Sequence, residues 1–184
     1  MNNSSKLNLG AGKDIRPDYV NHDIADIAGI DVVHNLNDLP WPWESNRFDE
    51  IIAFDLLEHL NEFFPVMEEM HKILKPNGII KIKVPYWNSA FCHIDPTHKQ
   101  TIHEMTFHFM DPEKEICQTR DYYTTARFSI IEEVFVLIPF LPYLPIPFVG
   151  KIRVRGKIAK RIVGFLGNLF SNVILDLEVT LIKV

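Results

Sequence analysis

At 184 residues, with 47% hydrophobic and 23% charged side chains, the chain has the material for one globular domain with a substantial core. Two cysteines, Cys92 and Cys117, cannot make a disulfide framework, and the polar start "MNNSSK" shows no leader, so a reducing cytoplasm is the expected compartment. The net charge of −5 is uneven: residues 134–175 hold no Asp or Glu, while six basic residues fall between Lys151 and Arg161, a patch too local for a general nucleic-acid binder.

In chain order, "KLNLG" (6–10) alternates and ends in glycine, which reads as a short buried strand. "YVNHDI" (19–24), "DVVHNL" (31–36) and "FDEIIAF" (48–54) read as the next three strands. From Glu62 to Lys75 the apolar residues Phe63, Val66, Met67, Met70, Ile73 and Leu74 recur at helical spacing, and "KPNG" (75–78) stops that helix. "GIIKIKVPY" (78–86) is a fifth strand, and "ARFSIIEEVFVLI" (126–138) and "LDLEVTLIKV" (175–184) are two long ones. Strands alternating with helical or loop segments predict an α/β sheet, largely parallel, with the last strand pairing antiparallel to the one before it.

The turn "GAGKDIRPDYVNHD" (10–23) carries the first chemical signal. Gly10 and Gly12 let backbone approach a ligand, and an acid, Asp23, follows. A dinucleotide fingerprint needs a third glycine, a helix N-terminus for the pyrophosphate and an acid about 20 residues on. Here Asp23 comes only 11 residues after Gly12, and Asp14 stands where a pyrophosphate would lie. The turn suits a nucleoside without phosphates: backbone packs against it while a carboxylate takes the ribose hydroxyls. S-adenosylmethionine is such a ligand.

From Leu7 to Tyr86 the chain resembles the class I S-adenosylmethionine-dependent methyltransferases, in particular the methyltransferase type 11 group. "LNLGAG" is similar to that family's first motif and "NHDI" to its acidic second-strand end. "NLNDLPWPWESNRFDEIIAFDLLEHL" and "MHKILKPNGIIKIKVPY" follow its order and spacing. The resemblance implies a single Rossmann-like domain over 1–184, with a seven-stranded sheet in the order 3-2-1-4-5-7-6, strand 7 antiparallel. It also implies S-adenosylmethionine as cofactor. Gly10, Ala11 and Gly12 would lie against the methionine and ribose, Asp23 with Ile24 at the ribose, Asn35 and Leu36 at adenine, and Phe54 and Asp55 at the methionine end. Asn35 stands where the family commonly has Asp, Lys13 replaces a third small residue, and the first helix is short or missing. A loop with about one turn is expected there, although parallel neighbours usually need a crossover of roughly a dozen residues or more.

Methyl transfer from a sulfonium is a displacement in which the cofactor brings the activated group and the protein aligns the acceptor. Aromatic faces can help by cation–π attraction, for which Trp41, Trp43, Phe54, Tyr86 and Trp87 are candidates, packing being the plainer reading of each. "YWNSAFCHIDPTHKQTIHEMTFHF" after the fifth strand should shape the acceptor side. His93 and His98 are candidate bases there, and His59 in "LEHL" a third. His93, Asp95 and His98 raise the question of a metal, but the fivefold spacing does not put the two histidines on one helix face, so none is expected.

Between the last two strands, at about 139–172, lies an insert. "VFVLIPFLPYLPIPFVG" (134–150) is uncharged and broken by prolines, so it is no membrane-spanning helix. "KIRVRGKIAKRIVGFLGNLF" (151–170) is amphipathic: Ile158, Ile162, Phe165, Leu166 and Leu169 share one face, and Arg153, Lys157, Lys160 and Arg161 the opposite one. It would suit packing on the domain with its basic face in water, contact with the inner membrane surface through 151–170, or a homodimer. The expected function is methyl transfer to a small-molecule, saccharide or lipid-linked acceptor. The alternatives are a non-catalytic or membrane-peripheral cofactor-binding protein of the same fold and a metal hydrolase.

Overall fold

The computed structural model describes residues 4–137, 140–141, 144–145 and 151–184. Eight strands form one sheet: β1 (Lys6–Leu9), β2 (Val20–Asp23), β3 (Val32–Val33), β4 (Phe48–Phe54), β5 (Leu74–Pro85), β6 (Phe128–Leu137), β7 (Ile152–Val154) and β8 (Asp176–Lys183). Their order is 3-2-1-4-5-8-6-7. The first five run parallel, β8 lies antiparallel between β5 and β6, and β7 is antiparallel to β6. The expected order therefore holds, and the insert adds β7 at the edge as an eighth strand. The proline-broken run 138–150 lies largely outside the described residues.

Alternation gives the sheet two unlike faces. Leu7, Leu9, Ile51, Ala53, Ile80, Ile82, Val84, Leu177, Val179 and Leu181 point one way, and none is more than 1% exposed. Helix α1 (Phe63–Ile73) brings Met67, Met70 and Ile73 into the same core, at the spacing read from the sequence. The helix ends just before Lys75-Pro76, as the proline requires. The other face carries Glu50, Lys81, Lys83, Glu178 and Thr180, with ion pairs Lys81–Glu50 at 3.1 Å and Arg153–Glu178 at 3.0 Å. Parallel sheets are usually apolar on both faces; here the alternation in "KIKV" already signals a polar one.

The link from β1 to β2 contains no helix. Two buried asparagines satisfy its backbone instead. Asn8 Nδ2 donates to Asp14 O (2.8 Å) and to Asn21 Oδ1 (3.1 Å). Asn21 Oδ1 accepts from Arg16 N at 3.0 Å, and Asn21 Nδ2 donates to the carbonyls of Arg16 and Tyr19 at 2.9 and 3.2 Å. Amide side chains, each offering donors and an acceptor, thus do what a helix would do for these backbone groups.

Beyond β5 come α2 (Phe91–Ile94), α3 (Glu104–His108), α4 (Glu115–Thr119) and, in the insert, α5 (Lys157–Leu169). α5 docks by the side that carries Lys160, Val163, Gly164 and Gly167. Lys160 pairs with Glu133 at 3.0 Å, and a Cβ at Gly167 would come within 3.0 Å of Ile174 Cδ1. Its apolar face points outward, with Ile158 78% and Phe165 64% exposed. Of the three readings, packing on the domain with the basic face in water is corrected: glycines and one half-buried ion pair set the docking side. Among the described residues no helix is long and apolar enough to cross a membrane.

Candidate active site

The carboxyl ends of β1, β2 and β4 open on a cleft of about 600 Å³, within the range of roughly 300–1,000 Å³ usual for small-molecule sites. Gly10, Asp23, Ile24, Asn35, Leu36 and Asp55 line it. Gly10 has φ +64°, and a Cβ there would lie 2.9 Å from Leu56 Cδ1, so only glycine gives the cleft this floor. Asp23 Oδ2 accepts from Gly12 N at 2.8 Å and Oδ1 from Ala25 N at 3.0 Å, which fixes the carboxylate and leaves each oxygen another lone pair. Asn35 Oδ1 accepts from Asn37 N at 3.1 Å. Leu36 is buried, with its carbonyl taking the Trp41 indole N–H at 3.0 Å.

Three expected residues stand elsewhere. Ala11 is buried beneath the turn, its N–H on His22 O at 2.8 Å. Gly12 acts through its bond to Asp23. Phe54 must be corrected: its ring lies under the Arg16 guanidinium, 5.4 Å from the centroid, and lines a groove on the polar face of the sheet. Residue 54 points opposite to residues 51 and 53, so the strand's own period takes it away from the cleft. Trp41 and Trp43 are core residues, edge to face at 6.0 Å.

A second cleft of about 520 Å³ shares Asp55 and His59 with the first. Its walls include Glu58, Lys83, Asp95, His98, Lys151 and Asp176. A 3₁₀ turn, Leu57–His59, brings Glu58 and His59 off the end of β4. The loop carrying His98 is latched to that turn: Lys99 N and Gln100 N donate to Glu58 O at 2.7 and 3.2 Å, and Gln100 Nε2 donates to Leu60 O at 2.6 Å. The latch brings the His59 and His98 rings to 4.6 Å, edge to face. His93 is not part of this group. It sits exposed on α2, outside the cleft wall, because the four-residue helix turns Cys92 inward instead.

Electrostatics single out Glu58, which the sequence reading passed over. It is 2% exposed, and neither carboxylate oxygen has a hydrogen-bond partner. Burial, with the negative charges of Asp55 and Asp176, pushes its carboxyl up to about 7. Lys83 lies 2.5 Å from Asp55; burial works against its charge, but that carboxylate prevails and raises it. The only hint in the sequence is a glutamate enclosed by leucines in "LLEHL". His22 was also unassigned. It lines the first cleft, is 1% exposed, and is lowered to about 4 by burial.

Residues 7–82 match the family model described as a methyltransferase domain. Over those residues the chain is similar to the methyltransferase domain family. Members of this family use S-adenosylmethionine as the methyl donor. The chain has the fold of a SAM-dependent methyltransferase from Archaeoglobus fulgidus, with 19% identity and a TM-score of 0.63 over 97% of this chain and 85% of the other. It is likewise similar to a SAM-dependent methyltransferase from Thermotoga maritima described as a possible histamine N-methyltransferase (11% identity, TM-score 0.61, 95% and 81% covered). A third, from Mesorhizobium loti, has 12% identity and a TM-score of 0.52, with 100% and 93% covered. At such identities these are likenesses of fold. No curated protein matches the chain by sequence.

Proposed function

We propose that the first cleft holds S-adenosylmethionine and the second a hydroxyl-bearing polar acceptor, a saccharide or similar small molecule, free or lipid-linked. The observation that carries this reading is the shared wall: Asp55 and His59 belong to both clefts, so donor and acceptor would meet there. The first cleft fits the donor. Gly10 permits close approach, Asp23 presents a fixed carboxylate for the ribose hydroxyls, and the turn lacks the helix N-terminus a pyrophosphate would need. When bound, S-adenosylmethionine supplies a methyl group activated on sulfur, which the acceptor oxygen takes as the sulfur–carbon bond gives its electrons to sulfur. The chain's part is alignment and handling of the hydroxyl proton at the wall of Glu58, His59 and His98. The second cleft's mix of carboxylates and lysines suits a polyhydroxylated acceptor better than an apolar one.

Calorimetric titration with S-adenosylmethionine and S-adenosylhomocysteine tests the donor site. Both should bind, and Asp23→Ala should weaken both at least ~10-fold, the loss of charged hydrogen bonds. Absence of binding to either would overturn the reading. S-adenosylhomocysteine release across a panel of saccharides and other polyols then tests the acceptor class.

A further inference from the structure

We propose that Glu58, His59 and His98 form a binding site for one divalent transition-metal ion of the zinc type, set in the wall between the two clefts. One ligand-capable atom from each of the three lies within 4.8 Å of the others. Ligands about 2.1 Å from one tetrahedral ion stand ~3.4 Å apart, so side-chain adjustments totalling about 1–1.5 Å per pair close the shell. Two histidines with one carboxylate are a donor set that such ions favour, leaving further positions open for water or substrate.

The surroundings of the ligands point the same way. Thr97 Oγ1 donates its single hydrogen to Asp95 Oδ1 at 2.6 Å. Its 3.0 Å contact with His59 Nδ1 therefore has the imidazole N–H donating. His98 Nδ1 lies 3.0 Å from Cys92 O, a group that only accepts, so it donates as well. Both neutral rings are thereby fixed in the tautomer whose Nε2 carries the lone pair. Metal-binding histidines are typically held this way, the remote N–H on a carbonyl, hydroxyl or carboxylate. Glu58 supplies the second, independent sign: a carboxylate 2% exposed, with both oxygens unpartnered, facing the same cleft. A buried anion without a partner is costly, and a cation is the partner this geometry can receive. The latch of Lys99 and Gln100 on Glu58 O fixes the distance between the turn and the loop.

Purified full-length protein is stripped with chelator, dialysed against Zn(II) in one portion and Co(II) in another, and its metal content measured. The expected result is one ion per chain, with visible d–d absorption from the Co(II) form. Glu58→Gln and His98→Ala should each weaken Zn(II) binding at least ~10-fold and lose or shift that absorption. His93→Ala, outside the group, should bind as the unaltered chain does. The variants' fold is checked by circular dichroism and by titration with S-adenosylmethionine. Normal donor binding with lost metal binding supports the site, and it separates this inference from the donor reading, whose failure would show in the titration alone. Less than a tenth of an equivalent of metal, or equal affinity in Glu58→Gln and His98→Ala, overturns it.

Discussion

His22 shows what burial does to one titratable group. Its ring packs 5.4 Å from Trp43, its Nε2 meets His34 O at 2.9 Å, and Asp23 is adjacent in sequence. Burial lowers it to about 4 in the folded chain, against 6.5 for the free side chain. The unfolded chain therefore gains the proton first as the pH falls. Above about 6.5 the residue has no effect on stability; between 6.5 and about 4 it destabilises progressively, up to about 3 kcal/mol in all. Urea unfolding at pH 7.5 and 4.5 should show that loss, and His22→Gln should reduce the pH dependence. Gly10 is the residue-scale counterpart on the backbone. Gly10→Ala places a Cβ at φ +64° and against Leu56; it should cost about 1–2 kcal/mol of stability, read from the thermal midpoint, and weaken donor binding.

Two elements owe their form to polar side chains. The β1–β2 link holds its course because Asn21, 3% exposed, bonds to Arg16 and Tyr19. Asn21→Leu keeps the volume and strands those groups; urea unfolding should show a loss of about 2 kcal/mol or more. α5 docks through Lys160, whose ammonium lies 3.0 Å from Glu133 and 5.8 Å from the centre of the Phe135 ring. Burial raises Glu133, but His108 and Lys160 outweigh it, and the net effect is to lower the carboxyl. The pair's contribution is therefore present above the ordinary carboxylate value of 4.5 and lost as the pH falls through the depressed one.

At the scale of the whole molecule, the uneven charge has an internal purpose. Lys151, Arg153, Arg155 and Lys160 of the insert pair with Asp176, Glu178, Glu132 and Glu133 on β6 and β8. The acidic body and basic insert are two halves of one contact, held on the outside by pairs that salt can screen, each contributing about 0–1 kcal/mol. Hydrogen exchange at about 50 mM and about 1 M salt tests this. Amides of 151–169 should exchange several-fold faster at high salt, while those of β4 and β5 stay protected. Uniform change across the chain would count against it.

Much was legible in the residues alone. Period-2 and period-3.6 apolar spacing determined the strands, the helix at 63–73 and the core, because burial enforces those periods. The spacing of Gly12 and Asp23 determined that the first turn had no room for a crossover helix, and the order of motifs carried the resemblance to the methyltransferase domain that residues 7–82 match. Tertiary structure alone decided which polar residues meet. His59 and His98 lie 39 positions apart, and the loop's hydrogen bonds to Glu58 O, Leu60 O and the His59 ring bring them together. The same folding left Glu58 unpartnered, turned Phe54 to the other face, set His93 outside, and docked α5 by its glycines. Local pattern reports which side of an element is apolar; which polar atoms find partners depends on chain segments that no short-range rule connects.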